Sequence, residues 1–84
     1  MANVEERVKA VVARVLRVEV ARIQPEHSFT FDLGAQSVQS IELVAAFEEE
    51  FGVELDEEGA LSVTTVGGAV DFLARACQEQ GVAA

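Results

Sequence analysis

The sequence predicts an all-α fold, a bundle of three longer helices and one short helix with a long loop between the first and second helices. Apolar residues recur at helical spacing in three segments of the 84-residue chain. Residues that cap or end helices flank these segments, and no segment alternates apolar and polar residues as a strand does. A chain of this length forms one small domain, residues 1–84, with little room for a deep catalytic pocket. Carriers, adaptors and binding modules are therefore favoured over enzymes.

The first helix is predicted over roughly residues 4–17. Asn3 and Glu6 have the spacing of a capping box at its start. Its apolar stripe comprises Val4, Val8, Val11 and Val15, with Val12 and Leu16 at the edge. Because β-branched valines lower the intrinsic helix propensity, we expect tertiary packing to hold this helix.

Residues 18–36 form a long connection in which the helical pattern stops and turn-forming residues such as Pro25 and Gly34 appear. Connections of this length are uncommon in compact domains and are usually functional. We expect its apolar residues to pin it to the core, and these are Ile23, Phe29, Phe31 and Leu33.

The second helix is predicted to begin at Ser37 and to end near Phe51, where Gly52 stops it. Its core stripe comprises Leu43, Val44, Phe47 and Phe51. A short helical turn is predicted over residues 56–61. Thr65 is placed to cap the last helix, whose stripe comprises Val66, Val70, Leu73 and Cys77.

The charge of the chain is strongly negative and unevenly distributed. The formal net charge is −9, and no Lys or Arg occurs between Ile23 and Ala74. Nucleic acid and anionic membrane surfaces are disfavoured as partners because both would be repelled, whereas proteins with basic patches are favoured.

Cys77 is the only cysteine, which fits a reducing compartment, and the polar N-terminal segment resembles neither a signal peptide nor a membrane span. We expect a cytoplasmic monomer.

The second helix has an outer face that combines apolar and acidic residues. At 100° per residue this face holds Val38, Glu42, Ala45 and Glu49, flanked by Ile41 and Glu48. Apolar residues one turn apart and surrounded by carboxylates are typical of a docking strip. The alternative is that the helix is buried more broadly than its core stripe indicates.

Ser37 is the candidate functional residue at the start of this helix. Its hydroxyl is placed either to cap the first-turn amides or to carry a phosphate ester, which those amides and the helix dipole stabilise. Gly34 allows a tight turn just before it. Ser37 lies in no G-x-S-x-G elbow and has no evident base, so a hydrolase is not expected. The acidic residues near Asp56 lack the spacing of an EF-hand, and no metal site is expected.

The chain resembles the acyl carrier protein family over nearly its whole length. The resemblance is carried by residues 32–38 (DLGAQSV), 41–44 (IELV) and 47–51 (FEEEF), with 4–9 (VEERVK), 28–29 (SF) and 64–66 (TTV) at matching spacing. It implies that Ser37 receives a phosphopantetheine arm from coenzyme A through a phosphopantetheinyl transferase. The thiol of the arm then carries acyl groups as thioesters between acyl-transferring and ketosynthase-type enzymes with basic patches.

The resemblance also implies a partner-binding surface and an apolar shelter for the acyl chain. The surface comprises Gln36, Val38, Gln39, Ile41, Glu42, Ala45, Glu48 and Glu49. The shelter is expected where small residues leave space, at Ala45, Ala46 and Ala60.

This sequence departs from the family pattern around the serine. Gln36 and Val38 replace the usual Asp and Leu, Gln39 stands where an acidic residue is common, and Phe31 occupies an often acidic position. These differences favour a specialised carrier in fatty-acid or polyketide-type biosynthesis. A peptidyl or aminoacyl carrier of a nonribosomal-peptide-type pathway, and an acidic adaptor that is never loaded, remain the alternatives.

Overall fold

The structure is a computed structural model that describes residues 3–83. Its helices in chain order are α1 (Val4–Leu16), α2 (Ser37–Phe51), α3 (Glu57–Leu61) and α4 (Val66–Gln80). The described residues contain no strand beyond one isolated bridge between Ser28 and Thr65, so the all-α prediction is confirmed. The long connection also contains a 3₁₀ turn, Val20–Arg22, that the sequence pattern does not predict.

The helix boundaries follow the capping residues. The Asn3 side chain accepts a hydrogen bond from the Glu6 amide at 2.8 Å, and the Thr65 hydroxyl accepts one from the Gly68 amide at 3.1 Å. Gly52 ends α2 in the left-handed conformation with φ of 66°. The predicted end of the first helix is one residue too long, because Arg17 adopts φ of 57° and acts as the C-terminal cap.

The core lies where α1 packs against both α2 and α4. In α1 the buried residues are Val8, Val11, Val12 and Leu16, whereas Val4 and Val15 are only partly buried. The predicted stripe is therefore centred too far toward Val4 and Val15 and too far from Val12 and Leu16. A helix that meets two neighbours buries a wider face than a single stripe, and this wider face takes in Val12 and Leu16.

Arg7 joins the start of α1 to the end of α2. Its guanidinium forms an ion pair with the Glu50 carboxylate at 3.0 Å and donates a hydrogen bond to the Glu50 carbonyl at 2.8 Å. The same group lies 4.2 Å from the centre of the Phe51 ring. Because the start of α1 meets the end of α2, the two helices run antiparallel. The long connection therefore leaves α1 at the end of the bundle where α2 begins.

Backbone hydrogen bonds fasten this connection to the start of α4. The Val66 amide donates to the His27 carbonyl at 3.0 Å and the Gly67 amide donates to the Pro25 carbonyl at 2.8 Å. These bonds satisfy first-turn amides that an α-helix leaves without partners. A Cβ atom at position 67 would lie 3.1 Å from the Pro25 carbonyl oxygen, so glycine permits the close approach.

Ser28 organises the turn that precedes α2. Its amide donates to the Asp32 carboxylate at 2.7 Å, and its hydroxyl accepts from the Phe31 amide at 3.2 Å. Its carbonyl accepts from the Asp32 and Leu33 amides at 3.0 and 3.1 Å. Residues 28–33 thus form a turn whose backbone is held by hydrogen bonds to Ser28.

The expectation that Phe31 pins the loop to the core is wrong. Ile23 and Phe29 are buried and Leu33 is partly buried, but Phe31 is 93% exposed. Since the backbone of the turn folds back on Ser28, Phe31 lies on its outer side.

Replacing Arg7 with Ala should lower the free energy of unfolding by about 1–2 kcal/mol, because the ion pair, the hydrogen bond to a backbone carbonyl and the aromatic contact are lost together. Arg22→Ala removes the same charge from an exposed residue of the 3₁₀ turn and should change it by less than about 0.5 kcal/mol. Urea unfolding followed by circular dichroism measures both values. Equal losses in the two variants would contradict the role given to Arg7.

Replacing Asp32 with Ala should accelerate hydrogen exchange of the Ser28 amide by about tenfold, because this amide loses its acceptor. Asp32→Asn keeps an acceptor oxygen and should change the rate by less than about threefold. Native-state exchange followed by NMR gives the rate for this single amide. An unchanged rate in Asp32→Ala would show that the carboxylate does not hold the turn.

Candidate functional site

Ser37 is exposed and is the first residue of α2. The N-terminal cap is Gln36, whose backbone is extended, and its amide donates a hydrogen bond to the Gln39 side-chain oxygen at 2.9 Å. Within residues 3–83 the Ser37 hydroxyl takes part in no hydrogen bond. The interpretation of Ser37 as a helix cap is therefore wrong, because the cap lies one residue earlier. The hydroxyl stays available for chemistry.

The turn before α2 places this hydroxyl outside the core. Gly34 adopts φ of 72°, a conformation that glycine takes without strain. The next residue, Ala35, is buried, and its amide donates to the Phe29 carbonyl at 2.7 Å. With Ala35 anchored, the chain emerges from the core just before the helix starts, and Ser37 meets solvent.

The electrostatic surroundings of Ser37 suit an attached phosphate. The first turn of α2 contains no acidic residue, so no carboxylate within it opposes a negative charge on the serine oxygen. The free amides of a helix start and the positive end of the helix dipole stabilise such a charge. Gln36 contributes to this neutrality, since a carboxylate at its position would stand beside the phosphate.

The outer face of α2 is exposed along the helix. Val38 and Ile41 are 61% and 54% exposed, and Glu42, Ala45 and Glu49 are exposed as well. This exposure excludes the alternative of a broadly buried helix. We call these five residues the docking strip. Their role in partner binding stays a prediction.

Two other residues predicted for the same surface, Gln39 and Glu48, also form hydrogen bonds within the fold. Gln39 is half-buried and its side-chain oxygen binds the Gln36 amide. Glu48 is half-buried and its carboxylate accepts the Leu55 amide at 2.9 Å, which ties the loop after α2 to the helix. The role of Gln39 and Glu48 in partner binding stays a prediction. A glutamine three residues after the cap is a capping-box signal that could have identified the role of Gln39.

An apolar cavity of about 110 Å³ lies between α2, α3 and α4. Leu43, Val44 and Phe47 of α2 form one wall, and the opposite wall comprises Leu55, Ala60, Leu61, Val63, Ala69, Phe72 and Leu73. Thr30 and Leu61 are exposed, which places the opening of the cavity beside them. The lining also includes Ser40, one helical turn after Ser37.

The prediction of which small residues leave space for an acyl chain is correct only for Ala60. Ala45 is exposed and Ala46 is packed against the core, and neither lines the cavity.

The remaining candidate groups take no part in this site. Cys77 is 1% exposed in the core face of α4 and packs as a small apolar side chain. Residues 3–83 contain no cluster of side chains that could hold a metal ion. No helix in the described part of the chain combines the length and the apolar run that crossing a membrane requires.

Comparison with known proteins places this geometry in a family. The family model described as the phosphopantetheine attachment site matches residues 6–73, a segment that contains Ser37, α2 and most of the core. Such a match covers well over half of the chain and shows the family.

Solved structures share the fold. A candidate acyl carrier protein from Mycobacterium tuberculosis superposes with a TM-score of 0.81 at 27% identity, covering 87% of this chain and 97% of that one. The acyl carrier protein from Enterococcus faecalis gives a TM-score of 0.70 at 29% identity, covering 89% and 99%. A docking-domain complex of the Pax NRPS gives 0.77 at 20% identity, covering 95% of this chain and 74% of that chain, which shows a common fold.

The match to the attachment-site model and the helical bundle shared with acyl carrier proteins agree with the sequence resemblance. The chain belongs to the phosphopantetheine-attachment family: it is a carrier protein that bears a covalent phosphopantetheine arm, and it is not a catalyst.

Proposed function

We propose that the chain is an acyl carrier protein whose arm is attached to Ser37 and whose cargo is an acyl group of fatty-acid or polyketide-type biosynthesis. The observation that carries this proposal is the exposed Ser37 hydroxyl, which begins α2 and makes no hydrogen bond within residues 3–83. The arm supplies a terminal thiol that holds acyl groups as thioesters. The folded chain supplies the attachment point and the surfaces around it.

Loading requires the Ser37 oxygen to reach the diphosphate of coenzyme A in the transferase. The oxygen bonds to the phosphorus next to pantetheine, a phosphorus–oxygen bond of the diphosphate breaks, and adenosine 3′,5′-bisphosphate leaves. The hydroxyl proton passes to a base of the transferase. Ser37 suits this step because its oxygen is exposed and the first turn of α2 lacks carboxylates that would repel coenzyme A.

The charge of the docking strip favours partner enzymes that carry basic patches. Glu42 and Glu49 border the exposed apolar residues, and no Lys or Arg occurs between Ile23 and Ala74 to neutralise them. Charge pairs at the rim of an interface accelerate association and weaken as salt rises. Such contacts suit a carrier that must leave each enzyme after delivery.

A peptidyl or aminoacyl carrier is the second candidate, because the Pax NRPS complex shares the fold at a TM-score of 0.77. At 20% identity this likeness concerns the backbone alone. The acidic segment of residues 47–51 favours the acyl carrier. An adaptor that is never loaded is disfavoured by membership of the attachment-site family.

The apolar cavity is suited to hold the first part of the acyl chain. Its lining is dominated by leucine, phenylalanine and valine, and its opening lies near Thr30 and Leu61, on the side of Ser40 and thus of the Ser37 turn. Burying methylene groups there would remove them from water. Ala60 is the lining residue whose enlargement would fill the space most directly.

Incubation of the wild-type protein with coenzyme A and a broad-specificity transferase should add one phosphopantetheine group to the intact mass. Ser37→Ala should add none, because the accepting oxygen is gone. Ser40→Ala provides the matched control, since it removes a half-buried hydroxyl one turn further along α2 and should be modified like the wild type. Modification of Ser37→Ala, or none in the wild type, would refute attachment at Ser37.

Acylation of the arm should raise the free energy of unfolding by about 2 kcal/mol in the wild type, the value for two or three buried methylene groups. Ala60→Leu fills the cavity, so acylation should add less than about 0.5 kcal/mol to its stability. Ala45→Leu adds the same side chain on the exposed face of α2 and should retain the full gain. Urea unfolding of loaded and acylated forms measures the difference. An equal gain in Ala60→Leu and wild type would exclude this cavity as the shelter.

A further inference from the structure

Phe31 is an aromatic side chain that the fold leaves in water. It is 93% exposed, whereas the other exposed large apolar residues described, Val20, Val38, Ile41 and Leu61, range from 42% to 61%. A phenylalanine in water forgoes the stabilisation that burial of an aromatic side chain provides. Single exposed apolar residues are common on protein surfaces, so exposure alone assigns no role to Phe31.

The backbone holds Phe31 in a fixed position. Its amide donates to the Ser28 hydroxyl at 3.2 Å, and the following residue binds the Ser28 amide and carbonyl at 2.7 and 3.0 Å. The Phe29 amide donates to the Thr64 carbonyl at 3.0 Å, which fastens the turn to the segment before α4. A backbone segment that is already ordered loses little conformational freedom when a partner binds it. The backbone that carries Phe31 is therefore preorganised for contact.

The turn that carries Phe31 lies against the first part of α2. Thr30, the residue before Phe31, lines the same cavity as Ser40, which is one helical turn after Ser37. The Ala35 amide also bonds to the Phe29 carbonyl at 2.7 Å, which keeps the turn beside the start of the helix. A protein that covers the Ser37 oxygen therefore approaches Phe31 as well.

We propose that Phe31 is an anchor for the phosphopantetheinyl transferase, inserting into an apolar pocket of that enzyme bordered by Lys and Arg residues. The proposal rests on the proposed attachment at Ser37. The transferase fits this role better than other partners because it must bring coenzyme A to the serine oxygen itself. Enzymes that act on the thiol instead bind the far end of the arm. The basic border follows from charge, since exposed Asp32 and Glu42 flank the region and residues 23–74 contain no Lys or Arg.

The expected effect is a loss of binding without a loss of chemistry. Truncation of an aromatic anchor at the centre of an interface is expected to weaken binding about tenfold, which corresponds to about 1.4 kcal/mol. Phe31 does not touch the reacting atoms, so its removal should weaken the ground state and the transition state equally. The KM for the carrier then rises while kcat is kept.

The test measures loading kinetics with coenzyme A and a broad-specificity phosphopantetheinyl transferase, using the full chain and varying its concentration. Phe31→Ala should raise the KM for the carrier by about tenfold with kcat within about twofold of the wild type. Val20→Ala is the matched control, because it truncates another exposed apolar residue of the same long connection and should leave KM within about twofold. Because Phe31 is exposed, Phe31→Ala should unfold at the same urea concentration as the wild type.

The outcomes separate this inference from the proposed function. A wild type that cannot be loaded at Ser37 refutes the proposed function. A wild type that is loaded, with a KM of Phe31→Ala less than about fivefold higher, leaves the function intact and overturns the anchor. A rise of similar size in Val20→Ala overturns it too, since the effect would then be unspecific. A wild-type KM that does not rise with salt contradicts the basic border and hence the charge argument for this partner.

Discussion

One constraint governs this end of the molecule: the start of α2 must be capped by groups other than the Ser37 hydroxyl. A serine at the start of a helix usually serves as the cap, and a capping hydroxyl is occupied. Here the cap is moved to Gln36, and the Gln39 side chain binds the Gln36 amide at 2.9 Å. Gly34 and buried Ala35 turn the chain out of the core just before. The helix therefore starts one residue too early for Ser37 to cap it, and the free hydroxyl follows from that register.

The rest of the bundle brings further elements to the same end. The Arg7 contacts with Glu50 and Phe51 keep α1 and α2 antiparallel, so the long connection starts where α2 begins. Backbone bonds from the first turn of α4 to the His27 and Pro25 carbonyls hold that connection in place. Ser37, the opening of the apolar cavity and exposed Phe31 consequently share one region. A partner that recognises the arm can contact all three, while the docking strip extends along α2.

The sequence predicted α2 from its first to its last residue, as well as the caps Asn3 and Thr65, because side-chain caps and glycine ends are local signals. It predicted the buried face of α1 less well, since which residues are buried depends on two neighbouring helices. It could not predict the attachment of the long connection to α4, because a glycine such as Gly67 permits a close approach without indicating which carbonyl approaches it. Phe31 was misplaced because an apolar residue indicates only a preference for burial, whereas the turn around Ser28 decides where its side chain lies.

The proposed function depends on where the arm is joined to the chain. The most direct measurement is fragmentation mass spectrometry of peptides from the loaded wild-type protein, which locates the added group on a single residue. If the arm is attached to Ser37, every fragment carrying phosphopantetheine contains Ser37, and peptides with only Ser28 or Ser62 are unmodified. Fragments that place the group on Ser40, Ser28 or Ser62 while Ser37 remains free would contradict it.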